Sequence, residues 1–94
     1  MRVGVLGAGS WGTTLAILLR ENGHEVTLWS HRADHTAEMQ EAHENAILLP
    51  GIVIPHDVLI TNDLDLAASS KELLVAAVPA QFLRSVADRL GKLE

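Results

Sequence analysis

The chain has 94 residues, 48% of them hydrophobic, a formal net charge of -5 and no cysteine. That length holds one small domain rather than two, with a real core but a thin stability margin. The charge argues against non-specific nucleic-acid binding. The lack of cysteine excludes disulfides, thiol catalysis and cysteine–zinc sites and fits a reducing compartment, and no apolar stretch reaches membrane-spanning length.

Residues 1–6 are too short for a signal peptide and read as a first strand, Arg2–Leu6. The strand runs into Gly7-Ala8-Gly9-Ser10-Trp11-Gly12, a G-x-G-x-x-G spacing followed by a helical pattern over 10 to about 22. That combination is the fingerprint of a dinucleotide-binding turn. Gly7 permits the tight turn off the strand, Gly9 lets a pyrophosphate approach the backbone, and Gly12 lets the helix pack closely on the strand. The phosphates would sit at the helix N-terminus, where free N–H groups and the helix dipole favour anions even in an acidic domain. Leu15, Leu18 and Leu19 make the expected apolar stripe of this helix, and Asn22-Gly23 stops it.

A second strand is expected over 25–30, rich in Val26, Thr27, Leu28 and Trp29. A polar surface helix follows over 34–44, with Asp34 as cap and a thin apolar face of Ala37, Met39 and Ala42. Residues 47–55 are apolar but interrupted by Pro50, Gly51 and Pro55, so they read as an extended loop or edge segment. A short third strand (58–61) and a short helix (63–70, starting at Asp63) come next. The almost unbroken apolar run over 72–78 reads as a strand covered on both faces. Pro79 ends it, and a last helix is expected over 80 to about 90. Strands alternating with helices define an α/β protein, a Rossmann-like doubly wound parallel sheet with the third, second, first and fourth strands side by side. Such a domain normally has two more strands, so residues 1–94 read as a domain truncated after the fourth strand and its helix.

The strand-two tip reads Ser30-His31-Arg32, with no acid at the position where NAD-preferring domains hold the adenosine ribose. Arg32 suits a 2′-phosphate, His31 adds a donor, and Ser30 leaves room, which points to NADP(H) or to both cofactors. The alternative leaves Arg32 solvated and gives the ribose to Asp34. Trp11 either covers the pyrophosphate and the adjoining cleft or packs on neighbouring loops. Pro79 either shapes the nicotinamide floor or only terminates its strand. His31, His35 and His43 sit in a polar helical region without cysteine and read as surface residues rather than a metal set, as do His24 and His56 in their turns. No paired carboxylates, nucleophile elbow or Lys-Ser/Thr phosphate element occurs, so no catalytic residue is assigned.

The blocks Gly7–Ala16, Asn22–Trp29, Asn45 with Leu49-Pro50-Gly51, Thr61–Leu64 and Val78-Pro79 together resemble the N-terminal part of bacterial-type NAD(P)-dependent glycerol-3-phosphate dehydrogenase. The likeness spans essentially the whole chain. It implies hydride transfer between NAD(P)H and dihydroxyacetone phosphate to give sn-glycerol 3-phosphate, or the reverse, in glycerophospholipid synthesis. It also implies a cytoplasmic enzyme without membrane insertion, a homodimeric parent, and cofactor contacts at Ser10, Trp11, His31 and Arg32. The family's lysines and its helical substrate domain have no counterpart here, and Leu48 stands where relatives often carry tyrosine. Two other readings remain at this stage. One is the nucleotide-binding domain of a different dehydrogenase, disfavoured by the 45–51 block. The other is a non-enzymatic nucleotide sensor, which would usually keep an acid at the strand-two tip.

Overall fold

The computed structural model describes residues 1–46 and 48–78, with positions 84 and 88 beyond them. In chain order its elements are β1 (Arg2–Leu6), α1 (Ser10–Glu21), β2 (Glu25–Trp29), α2 (Ala33–Ala42), β3 (Glu44–Asn45), β4 (Leu49–Val53), β5 (Leu59–Thr61), α3 (Leu64–Ala68) and β6 (Leu73–Ala76). The main sheet is parallel in the order β5-β2-β1-β6, which is the expected third-second-first-fourth arrangement. The expected final helix lies outside the described residues.

Side chains alternate across a strand, so each strand feeds two cores. Val3, Val5, Val26, Leu28 and Ile60 meet Ala16 and Ile17 of α1 and Met39 of α2 on one face. Leu6 and Trp29 meet Leu64 and Ala67 of α3 on the other. The sheet is thereby covered by helices on both sides, the Rossmann-like doubly wound arrangement. A Cβ on Gly4 would overlap the Ala67 carbonyl oxygen, so α3 rests directly on the β1 backbone.

Several local expectations shift. The buried face of α1 is Gly12, Thr13, Ala16 and Ile17, while Leu18 is 47% exposed. The close approach at Gly12 sets the helix rotation: the i, i+4 rows from 12 and 13 turn to the sheet and carry Leu18 outward. Helix α2 starts after Arg32, and Asp34 lies in its first turn instead of capping it. The buried side of α2 is His35, Thr36 and Met39, with Ala37 and Ala42 exposed. The apolar 47–55 segment supplies β4, which pairs antiparallel with β3 in a separate two-stranded ribbon. A two-stranded ribbon leaves each strand a free edge, which is where Pro50 is tolerated. Strand β6 pairs with β1 alone among the described residues, and Leu73 (43%) and Leu74 (39%) stay exposed instead of covered.

Two terminus signals read from sequence hold. Asn22 caps α1 with its side-chain amide on the Leu18 carbonyl (2.8 Å), and Gly23 follows at φ +87°. Asp63 caps α3, its Oδ1 accepting the N–H groups of Asp65 (3.0 Å) and Leu66 (3.3 Å). Asp63→Ala is therefore expected to lower unfolding stability by about 1 kcal/mol, readable as a shifted urea midpoint at constant slope.

Candidate nucleotide-binding site

In open α/β sheets a ligand crevice opens beyond the carboxyl ends of the strands. Here β1, β2 and β6 all end at a cleft of about 600 Å³. The glycine turn lines it through Gly7, Gly9, Ser10 and Trp11; the β2 tip through Ser30, His31 and Arg32; and the β6 end through Ala76, Ala77 and Val78. The residues singled out in the sequence thus converge, apart from two. Gly12 lies beneath the cleft rather than on its wall, and Pro79 falls outside the described residues.

The turn has a definite geometry. Gly7 adopts φ +123° and donates its N–H to the Trp29 carbonyl at 2.9 Å. A side chain at Gly7 would meet the Ala77 carbonyl oxygen at 2.6 Å, so this position needs both the conformation and the smallness of glycine. A Cβ on Gly12 would overlap the Gly7 carbonyl oxygen. A Cβ on Gly9, by contrast, would meet nothing within 4 Å. Gly9 is the N-cap of α1, no side chain caps that terminus, and its first turn carries no acid. The leading amides and the positive end of the helix dipole are therefore available to an anion over Gly9. This open cradle is the arrangement a pyrophosphate requires.

The rim is built around it. The Ser10 hydroxyl donates to the Leu48 carbonyl at 2.6 Å and holds the approach to β4 against the turn. Trp11 lines the cleft with 65% of its surface exposed. Ser30 is buried; its N–H donates to the Thr61 carbonyl (3.0 Å) and its carbonyl accepts the Asn62 amide (2.8 Å). The Ser30 hydroxyl also accepts the Arg32 N–H at 3.3 Å, fixing the bend that presents His31 and Arg32 to the cleft.

The two candidate ribose groups prove to be partners. Arg32 donates to Asp34 through Nε (3.2 Å) and Nη2 (2.7 Å), a two-pronged pair with both side chains largely exposed. The hydrogen bond to Asp34, then its charge, raises the Arg32 guanidinium above its ordinary value. The Arg32 hydrogen bond, then one from the His35 backbone N–H, holds the Asp34 carboxyl below the usual range. A depressed carboxyl contributes stability above its unfolded value and loses it only as pH falls through the folded one, so the pair stays charged through the neutral range.

The histidines do not share a centre. His31 is exposed at the β2 tip, and His43 stacks on His56 with ring centroids 4.1 Å apart. His35 is buried, not the surface residue expected, with Nε2 at 2.8 Å from the Asn45 side chain. Asn45 was not singled out as a site residue, yet it is fully buried and bonded to the Ala8 carbonyl of the glycine turn. Its sequence signal was weak: a lone asparagine beside an apolar, proline-rich stretch suggests a turn rather than a buried hub.

An open parallel sheet with a glycine turn, an uncapped helix N-terminus and a polar strand-two tip defines a dinucleotide-binding domain of the Rossmann type. The family model for the N-terminus of NAD-dependent glycerol-3-phosphate dehydrogenase matches residues 2–94, and the chain belongs to that family. Glycerol-3-phosphate dehydrogenase [NAD(P)+] of Prosthecochloris aestuarii is 46% identical over 91 residues, covering 97% of this chain and 27% of the relative. The enzyme of the same name from Chlorobium phaeobacteroides is 48% identical over 84 residues, covering 89% and 25%. Among solved structures, glycerol-3-phosphate dehydrogenase from Coxiella burnetii superposes with a TM-score of 0.93 at 35% identity, covering 98% of this chain and 28% of that one. The chain thus spans about a quarter of the length of these relatives.

Proposed function

We propose that this chain is the cofactor-binding portion of a glycerol-3-phosphate dehydrogenase, binding NAD(H) or NADP(H) across the cleft. In the longer protein the bound nicotinamide supplies or accepts the hydride that interconverts dihydroxyacetone phosphate and sn-glycerol 3-phosphate. The observation that carries the cofactor reading is the empty volume over Gly9 at the uncapped N-terminus of α1. Gly9 and the first amides of α1 hold the pyrophosphate, Trp11 screens it from water, and His31 and Arg32 take the adenosine ribose end. A soluble cytoplasmic enzyme serving glycerophospholipid synthesis, dimeric as the whole protein, completes the reading.

The experiment is a titration of the chain with NADH and with NADPH, read by energy transfer from tryptophan to the reduced nicotinamide. Trp11 on the cleft rim and Trp29, whose carbonyl bonds the Gly7 N–H, both lie close enough to donate, so Trp11→Phe should lower the transfer without removing binding measured by calorimetry. Saturable transfer supports the reading; no binding up to roughly 1 mM, the upper end of ordinary enzyme–ligand constants, overturns it.

Turnover is a separate matter. Lys71, the described lysine, donates to the Leu66 and Ser69 carbonyls and does not line the cleft. The 94 residues alone are expected to bind cofactor without oxidising NAD(P)H when dihydroxyacetone phosphate is added, because reacting groups must be held in near-attack geometry. Sustained oxidation above the substrate-free rate would refute this.

A further inference from the structure

Asn45 joins four parts of the molecule through one side chain. Its Nδ2 donates to the Ala8 carbonyl (2.8 Å) and to the Thr13 hydroxyl oxygen (2.9 Å). Its Oδ1 accepts the Leu48 N–H (3.4 Å) and lies 2.8 Å from His35 Nε2. The amide orientation is settled by chemistry: a carbonyl can only accept and a backbone N–H can only donate, so Nδ2 faces Ala8 and Oδ1 faces Leu48. His35 must then carry its hydrogen on Nε2 to reach Oδ1. Every polar atom of the amide is used, at a position with no exposed surface.

We infer that Asn45 is a positioning residue for the nucleotide phosphates, setting the direction of the amides in the glycine turn. This rests on the cofactor reading above. The Ala8 carbonyl and the Gly9 N–H belong to one trans peptide, so they point in opposite directions. Drawing the carbonyl inward to buried Asn45 turns the Gly9 N–H away from Asn45, and the space a Cβ on Gly9 would occupy is open. The second bond, to Thr13, fixes the first turn of α1 relative to that peptide. Through Leu48, whose N–H meets Asn45 and whose carbonyl accepts the Ser10 hydroxyl, the same residue holds the ribbon against the turn. His35 ties the hub to α2, whose N-terminus carries the Arg32–Asp34 pair.

The test uses Asn45→Asp, which keeps the shape but places an acceptor against the Ala8 carbonyl. NADH affinity should fall at least about tenfold, since a buried, bonded group is left facing a like partner. Amide hydrogen exchange should quicken at Gly7, whose N–H donates to the Trp29 carbonyl, and at Thr13, whose N–H donates to the Gly9 carbonyl, while core amides of Val5 and Leu28 keep their protection. Should Asn45→Asp fail to fold, Thr13 carries the test: Thr13→Val should lose several-fold in NADH affinity, by about one hydrogen bond, and Thr13→Ser should restore it. The inference is overturned if folded Asn45→Asp keeps wild-type affinity and exchange, or if Thr13→Ser loses as much as Thr13→Val. Failure of the wild-type chain to bind NADH would overturn the cofactor reading instead, and the exchange pattern would still decide whether Asn45 sets the turn.

Discussion

Gly12→Val is expected to destabilise the domain severely, whereas Gly9→Val leaves it folded but unable to hold nucleotide. The two positions belong to one turn and differ in what surrounds them. A Cβ on Gly12 lands on the Gly7 carbonyl oxygen and lies 3.3 Å from the Ala77 side chain. The overlapping atom is backbone, and Gly7 is pinned by its bond to the Trp29 carbonyl and by Ala77 behind it. Overpacking of side chains costs about 1–3 kcal/mol, and more where backbone must yield. A domain of this size has a margin of only about 5–10 kcal/mol, so a loss above about 3 kcal/mol would move the urea midpoint severely. Gly9 is different: no atom lies within 4 Å of a Cβ there, and its φ of -74° suits any residue. Gly9→Val should shift stability by about 1 kcal/mol at most, the scale of an N-cap change. Its methyl groups would fill the phosphate cradle, and NADH affinity should fall at least about tenfold. An unchanged midpoint for Gly12→Val, or unchanged affinity for Gly9→Val, would undo the respective assignment.

That contrast also shows what the sequence could and could not convey. The spacing of Gly7, Gly9 and Gly12 after an apolar strand carried the turn, and alternation of strands and helices carried the parallel sheet and its order. Those signals are local and periodic. The rotation of α1 was not legible, because leucines at 15, 18 and 19 make a plausible stripe while the helix face is chosen by backbone contact at Gly12. His35 and Asn45 were not legible either. A histidine in the polar Asp34–Glu38 stretch reads as surface, and only the pairing of β3 with β4 brings Asn45 beneath the turn. Polar residues buried by long-range contact leave no periodic trace. Arg32 and Asp34 are exposed and two residues apart, and they read as rivals for the ribose although they are bonded to each other, because spacing alone does not tell a pair from a competition.

Because they are bonded, their substitutions should move cofactor choice in opposite directions. The guanidinium lines the cleft, and two of its donors are already engaged by Asp34. A 2′-phosphate also takes two parallel guanidinium bonds, so NADPH competes with the neighbouring Asp34 charge for Arg32. Arg32→Ala should weaken NADPH binding by about tenfold, the low end for a charge-assisted bond at an exposed site. NADH lacks the phosphate and should change much less. Asp34→Asn removes the competing charge while keeping the side-chain shape, so NADPH should tighten several-fold with NADH nearly unchanged. If Asp34 instead holds the ribose hydroxyls, Asp34→Asn will weaken NADH as well, which identifies the carboxylate as a ligand contact and removes its role as a competitor. Both charges persist through the neutral range, so the comparison holds there at any one pH, and it should be made at low, constant ionic strength because exposed pairs are screened. Paired dissociation constants for both cofactors in wild type and the two variants give the answer. Equal weakening of NADH and NADPH by Arg32→Ala would mean that the guanidinium serves the shared part of the cofactor or the fold, and its assignment to the 2′-phosphate would fall.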